Sequence, residues 1–218
     1  MNDAKIFIVD DHPLVREWLT NLIKQHPGLV VCGEAATAAE AVSGIATTKP
    51  DVAIVDISLR NGSGLDLIKT LKVMHPTTAI IVLSMHDERL YAERSLRAGA
   101  RGYIMKRETT RNVIAAIRQV LDGKLYVSSD MAAYFAEKFV DGKPPTGESS
   151  IEQLSDRELE VFQLLGQGRE TRDIAKSLNI SIKTVQAYCA RIKEKLKLAN
   201  ASELLREAVR WYENRAGL

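Results

Sequence analysis

The sequence predicts an α/β doubly wound, five-stranded parallel sheet followed by an all-α domain of four helices containing a helix-turn-helix. Three observations predict it. Between residues 6 and 126, short apolar β-branched runs alternate with amphipathic stretches of helical period. Residues 140–150 then lose all apolar period and become rich in Gly, Pro and Ser. From Leu154 onward every signal is helical and strand alternation is absent.

In chain order, residues 6–9, 29–32, 52–55, 79–83 and 102–105 read as strands, with helix-period segments between them. Crossovers of that kind place helices on both faces of a parallel sheet and bury both sides of each strand, which is why the runs are apolar throughout. An amphipathic stretch at 129–139 precedes the Gly/Pro/Ser segment, which reads as a linker. Ser155-Asp156-Arg157-Glu158 is a capping box, with Leu154 and Leu159 spaced as its hydrophobic staple, and the helix it starts ends near residues 166–168. A second helix covers 171–178 and Asn179 breaks it. Ser181 caps a third that runs to residue 196, stapled by Ile180 and Val185. A fourth, 201–214, carries Leu204, Leu205, Ala208, Val209 and Tyr212 on one face. The division is therefore 1–126 for the first domain, 127–152 for a helix and linker, and 153–218 for the second domain.

With 45% apolar and 27% charged residues in a chain of 218, the composition is that of an ordinary globular protein. No run approaches the roughly 18 apolar residues of a membrane helix, and the N-terminus leads directly into a strand, so a cytoplasmic protein that does not engage the membrane is expected. Cys32 and Cys189 lie far apart within apolar patterns, which points to buried thiols rather than a disulfide or metal pair. The net charge of +2 is unevenly spread: residues 153–218 hold 12 Lys/Arg against 9 Asp/Glu. Lys183, Arg191, Lys193, Lys195 and Lys197 face only Glu194, a local basic face suited to nucleic acid.

Functional groups of a doubly wound sheet gather beyond the C-terminal ends of its strands. The first strand ends in Asp10-Asp11, the third in Asp56, the fourth in Ser84 and the fifth in Lys106, so these groups should converge. Each has an ordinary structural explanation alone, such as a helix cap, a turn residue or a solvated lysine. Five residues of suitable type at matching strand ends favour the joint reading. Clustered carboxylates repel one another unless a hard divalent cation is shared among them, and Mg²⁺ fits best. A carboxylate beside such a cation can attack a phosphoryl group, which makes Asp56 the nucleophile, with Lys106 pairing a phosphoryl oxygen and Ser84 donating a hydrogen bond.

Together with Ala98-Gly99-Ala100-Arg101-Gly102-Tyr103, these residues resemble the receiver-domain signature of two-component response regulators over roughly residues 5–125. The resemblance implies a CheY-like receiver in which Asp11, Asp56 and the Ser58 carbonyl bind Mg²⁺, Asp10 assists through water, and a sensor histidine kinase supplies the phosphoryl group. It places Tyr103 at an aromatic switch position that works with Ser84. Two residues depart from the family pattern: Arg60 stands where Pro is usual, and Arg107 where a small or acidic residue is common.

In the second domain, the spacing of the two helices around Asn179-Ile180-Ser181 allows one to brace the other in a major groove. Residues near the N-terminus of the third helix meet base edges, which suggests Gln186 and Ala187, while Lys183, Thr184, Tyr188, Arg191 and Lys195 suit the backbone. A plain helical bundle cored by Val185, Ile192 and Leu196 uses the same apolar residues. The stretches 154–161 and 173–185 resemble the LuxR-type helix-turn-helix, which with the receiver implies the NarL/FixJ family. Tyr188 stands where His is frequent, and Glu170 where a small hydroxyl residue often caps the bracing helix.

The joint expectation is that phosphorylation of Asp56 draws in Ser84 and Tyr103 and shifts an equilibrium toward a homodimer on double-stranded promoter DNA, with Leu204, Leu205 and Val209 as dimer contacts. The chain would promote only its own phosphorylation and dephosphorylation and would not be an enzyme acting on other substrates. An alternative is a phosphorylation-controlled protein-docking module without DNA output. A Mg²⁺-dependent phosphatase is disfavoured, because no long substrate-binding loops are present in the sequence.

Overall fold

A computed structural model of the chain describes residues 3–59, 62–108, 110–141 and 150–216. Arg60 and the bulk of the predicted linker, residues 142–149, lie outside the described residues. The described residues divide into two units, between Glu137 and Lys138.

The first unit is built on strands β1 (Ala4–Val9), β2 (Leu29–Ala35), β3 (Val52–Val55), β4 (Ala79–Ser84) and β5 (Gly102–Met105), all parallel, in the order β2-β1-β3-β4-β5. β1 starts at Ala4 and β2 runs to Ala35, beyond their apolar runs. Backbone pairing needs no apolar side chain, and on the edge strand β2 the polar Glu34 can pair with Ile8 without being enclosed. A register shift between Ile6 and Phe7 absorbs one extra residue of β2. The strands alternate with helices α1 (Pro13–Lys24), α2 (Ala38–Thr48), α3 (Gly64–Met74), α4 (Glu88–Ala98) and α5 (Thr110–Leu121). Between β3 and α3, Ser58–Leu59 pairs antiparallel with Gly62–Ser63.

Ile6 and Ile8 face one side of the sheet, packed with Leu19 and Ile23 of α1 and Val113, Ile117 and Val120 of α5. Phe7 faces the other, and its ring leaves no room at Gly33 and Gly44, where an added Cβ would lie 2.5 Å from ring carbons. These two glycines are therefore packing residues. Helix α6 (Ser129–Asp141) follows, and Tyr126 ahead of it forms one parallel bridge with Gly102.

The second unit holds a short 3₁₀ turn (Ser150–Gln153) and helices α7 (Asp156–Gly166), α8 (Thr171–Ser177), α9 (Ile182–Leu196) and α10 (Ala201–Ala216). Ser155 accepts from the Glu158 amide and the Glu158 carboxylate accepts from the Ser155 amide, completing the capping box. Leu154 and Leu159 beside it are buried. Asn179 sits at φ +52°, a left-handed conformation that stops α8, and Ser181 caps α9 through the Thr184 amide. Phe162 meets Trp211 edge-on at 5.6 Å. The predicted single face of α10 is split: Leu204 and Ala208 are buried and Val209 and Tyr212 half-buried, whereas Leu205 is 46% exposed. The cysteines are free and half-buried rather than fully enclosed.

Glu158 is 3% exposed, and its Oε2 accepts from Lys195 Nζ at 2.6 Å, while the same ammonium reaches the Gln153 carbonyl at 3.1 Å. Burial opposes its charge, but Lys195 and the Ser155 amide and hydroxyl outweigh that and hold the carboxyl below its ordinary value of 4.5. A carboxyl depressed in the folded state stabilises fully above its unfolded value, and that contribution is lost as pH falls through the folded value. Glu158→Gln is expected to lower the unfolding free energy of this unit by about 2 kcal/mol at neutral pH. Denaturation followed by Trp211 fluorescence in a Trp18→Phe background should show that difference shrinking below pH 4.5.

Candidate functional site

In the order β2-β1-β3-β4-β5 the crossover from β1 runs to one side and that from β3 to the other, leaving a crevice beyond the C-terminal ends of these two strands. The ladder continues one step past them. The Asp10 amide donates to the Ala35 carbonyl at 3.1 Å and the Asp56 amide to the Val9 carbonyl at 2.8 Å, so both acids are held by their backbone as well as by their side chains. Each is only 2% exposed. One residue past β5, the Lys106 amide donates to the Ser84 carbonyl, which aims the lysine at the same crevice. Its Nζ lies 2.7 Å from Asp10 Oδ2 and 2.7 Å from Asp56 Oδ2.

One ammonium thus faces two buried carboxylates. Ligand atoms of Asp10, Asp11, His12 and Asp56 lie within 4.8 Å of one another, the spacing of a cation site. Burial raises the Asp56 carboxyl to about 6, with Asp10 adding to the rise and Lys106 and the Ser58 amide opposing it. Burial works against the Lys106 charge, yet Asp56 and Asp10 more than offset it and push the ammonium above its usual range.

His12 was not singled out by residue pattern. Its Nδ1 lies 2.8 Å from Asp11 Oδ1 and 3.1 Å from Asp10 Oδ1, and its amide donates to Asp10 Oδ1 at 2.8 Å ahead of Pro13, the first residue of α1. Gly64 was also missed. A Cβ there would lie 2.2 Å from the Asp56 carbonyl oxygen, so only glycine lets α3 start against the backbone of the acidic residue. Sequence signals existed for neither, since His12 reads as a turn residue and Gly64 as a loop glycine.

Ser84 is fully buried and its hydroxyl accepts from the His86 amide at 3.1 Å. Tyr103 is also fully buried, turned inward, with its hydroxyl donating to the His86 carbonyl at 2.8 Å. Burial, offset in part by its contact with Ser84, pushes the Tyr103 phenol well above its usual range. Ser58 contributes its amide to Asp56 Oδ1 at 3.2 Å, and its hydroxyl meets His86 Nε2 at 2.7 Å. The His86 ring stacks on Tyr91, and burial, assisted by the Lys106 charge, lowers it to about 4.

In the second unit, Val185 and Ile192 of α9 are fully buried and fix which face turns outward. Lys183, Gln186, Ala187 and Arg191 are exposed on it, and the Arg191 guanidinium stands 5.9 Å from the Tyr188 ring. The Thr184 hydroxyl is 2.8 Å from that of Ser181, within the cap. Lys195, 37% exposed, is bound to Glu158 and the Gln153 carbonyl, so its ammonium also holds the fold. One expectation is corrected. Leu204, at 3% exposure, is core and offers no surface to a partner, leaving Leu205 and the half-buried Val209 as the accessible apolar groups of that pair of turns.

An acidic crevice at the switch point of a doubly wound sheet, joined in one chain to a capped helix-turn-helix, defines a signalling protein of the receiver-effector type. Residues 6–118 match the response regulator receiver domain, and residues 152–208 match the luxR family of bacterial regulatory proteins. The chain is 35% identical over 210 residues to the oxygen regulatory protein NreC of Staphylococcus haemolyticus, spanning 94% of this chain and 97% of that protein. It is 33% identical over 205 residues to the response regulator UvrY of Escherichia coli, spanning 94% and 93%. Among solved structures, RcsB of Salmonella enterica serovar Typhimurium, bound to the rprA promoter in the presence of the phosphomimetic BeF3-, is similar with a TM-score of 0.67 and 27% identity over 94% of this chain and 98% of that one. The chain belongs to the NarL/FixJ family of two-component response regulators, with a receiver domain and a LuxR-type helix-turn-helix.

Removing the Lys106 ammonium leaves burial and the Asp10 charge opposed only by the Ser58 amide. In buffer free of divalent cations, Lys106→Met is expected to raise the Asp56 titration midpoint above about 6, read by carboxyl-carbon NMR. An unchanged midpoint would show that Lys106 is not its counter-charge.

Proposed function

We propose that Asp56 accepts a phosphoryl group from a sensor histidine kinase and that its phosphorylation controls binding of a homodimer to promoter DNA. The observation that carries this reading is the pair of buried carboxylates, Asp10 and Asp56, sharing one ammonium at the ends of adjacent strands. A buried site with more acids than cations suits a hard divalent ion, and the residues fit Mg²⁺: Asp11, Asp56 and the Ser58 carbonyl as direct ligands, Asp10 through water. When bound, Mg²⁺ neutralises charge on the phosphoryl oxygens.

An Asp56 carboxylate oxygen forms the new P–O bond while the P–N bond of a phosphohistidine breaks and its electron pair returns to the imidazole. Lys106 Nζ, already 2.7 Å from Asp56, pairs with a phosphoryl oxygen, and the Ser84 hydroxyl turns from the His86 amide to donate to another. Loss of that acceptor at His86 changes the environment of Tyr103, whose hydroxyl is held by the same residue. The chain acts on its own aspartate and releases no product other than phosphate, so it is not an enzyme in the ordinary sense. The first domain spans 1–126 and the second 153–218, joined by a helix and linker at 127–152. Work in the cytoplasm agrees with the finding that, among the described residues, no helix is long and apolar enough to cross a membrane.

On DNA, Lys183, Thr184, Tyr188 and Arg191 meet phosphates, Gln186 and Ala187 meet base edges, and Leu205 and Val209 pair the two copies. Titration with an acyl-phosphate donor and Mg²⁺ should place a hydroxylamine-sensitive label on the wild type and none on Asp56→Asn. The variant's promoter affinity should not respond to the donor, and a labelled Asp56→Asn would refute the assignment. Arg191→Ala should reduce the salt slope of binding by about 0.9. Lys195→Ala should leave that slope unchanged and lower the unfolding midpoint.

A further inference from the structure

Helix α4 begins at Glu88, where an acidic side chain ordinarily serves its own helix N-terminus. Here it also reaches across the chain. Its two carboxylate oxygens accept from Ser128, 40 residues onward: Oε1 from the amide at 3.0 Å and Oε2 from the hydroxyl at 2.6 Å. Ser128 in turn starts α6. Its hydroxyl accepts from the Met131 amide at 3.1 Å and its carbonyl from the Ala132 amide at 2.9 Å.

The segment between α5 and α6 is fastened independently to the sheet. The Tyr126 amide donates to the Arg101 carbonyl and its carbonyl accepts from the Tyr103 amide, both at 2.9 Å. Tyr103 is therefore held on two sides, by the Tyr126 backbone and, through its hydroxyl, by the His86 carbonyl. The His86 amide donates to the Ser84 hydroxyl, and Glu88 follows two residues later. Hydrogen bonds and two short stretches of backbone, 86–88 and 126–128, thus join Ser84 to the cap of α6. Helix α6 itself continues to Asp141, beyond the division between Glu137 and Lys138.

We propose that Glu88 and Ser128 form a clasp that couples the β4–α4 turn to the start of α6, so that α6 changes when the Ser84 hydroxyl leaves the His86 amide. Both are positioning residues: neither touches the acidic crevice. The clasp rests on the reading of Asp56 as phospho-acceptor. Because one carboxylate holds both the amide and the hydroxyl of the capping residue, displacing α4's first turn must carry the α6 cap with it or release it. Either outcome makes the start of α6 a two-state element that the receiver site can bias.

Ser128→Asp tests this, since aspartate keeps a helix-capping oxygen while setting a carboxylate against Glu88. Full-length wild type, Ser128→Asp, Glu88→Lys and the double variant are each treated with an acyl-phosphate donor and Mg²⁺. Label on the protein, promoter affinity, and hydrogen exchange at the Met131 and Ala132 amides are measured. Both single variants should take label as the wild type does, exchange faster at these amides before any donor is added, and lose about tenfold or more of the donor-dependent change in affinity. The charge-swapped double variant should recover that response and the slow exchange. If the single variants keep the wild-type response, or the double variant fails to recover it, the clasp is refuted. If the wild type itself takes no label, the assignment of Asp56 falls first, and the clasp falls with it.

Discussion

The receiver depends on placing two carboxylates where water cannot solvate them. Asp10 and Asp56 sit one residue beyond adjacent parallel strands, held by the Ala35 and Val9 carbonyls as continuations of the ladder. Burial there raises the free energy of the ionised state, and the shared Lys106 ammonium only partly offsets it, which is why the Asp56 carboxyl stands near 6. A site held short of positive charge is prepared to gain from a divalent cation and from a phosphoryl group held by that cation. The sheet imposes this arrangement, since the strands that carry the acids cannot move without breaking its centre.

The surroundings serve the same constraint. Gly64 lets α3 begin in contact with the Asp56 carbonyl, and a single methyl group there would push the Asp56 backbone away. Ser58 and His86 meet through their side chains across the loops that follow β3 and β4. His86 also binds two buried hydroxyls, that of Ser84 through its amide and that of Tyr103 through its carbonyl. The turn that binds both hydroxyls also carries Glu88 and its bonds to Ser128.

The second domain solves a different problem with similar means. It is small, and among its described residues the one deeply buried acid, Glu158, completes a capping box and binds Lys195. That lysine lies in the most basic stretch of the chain, 37% exposed, and its ammonium is bound within the domain. Lys183 and Arg191 are exposed on the outward face of α9, with Tyr188 beside the arginine.

Much of this was legible in the residues alone. Alternating apolar runs determined the five parallel strands, because a strand covered on both faces must be apolar throughout, and the capping box, Asn179 and Ser181 determined the ends of α7, α8 and α9. The acids, Ser84 and Lys106 could be expected to converge because parallel strands all present their C-terminal ends on one side. Sequence could not decide which lysine of α9 pairs with the buried Glu158, that Leu204 is core while Leu205 is exposed, or that His12, Gly64 and Glu88 adjoin the groups that matter. Those outcomes turn on contacts between residues tens of positions apart, such as Lys195 with Glu158 and Glu88 with Ser128, and local periodicity fixes only the direction in which a side chain leaves its own helix or strand.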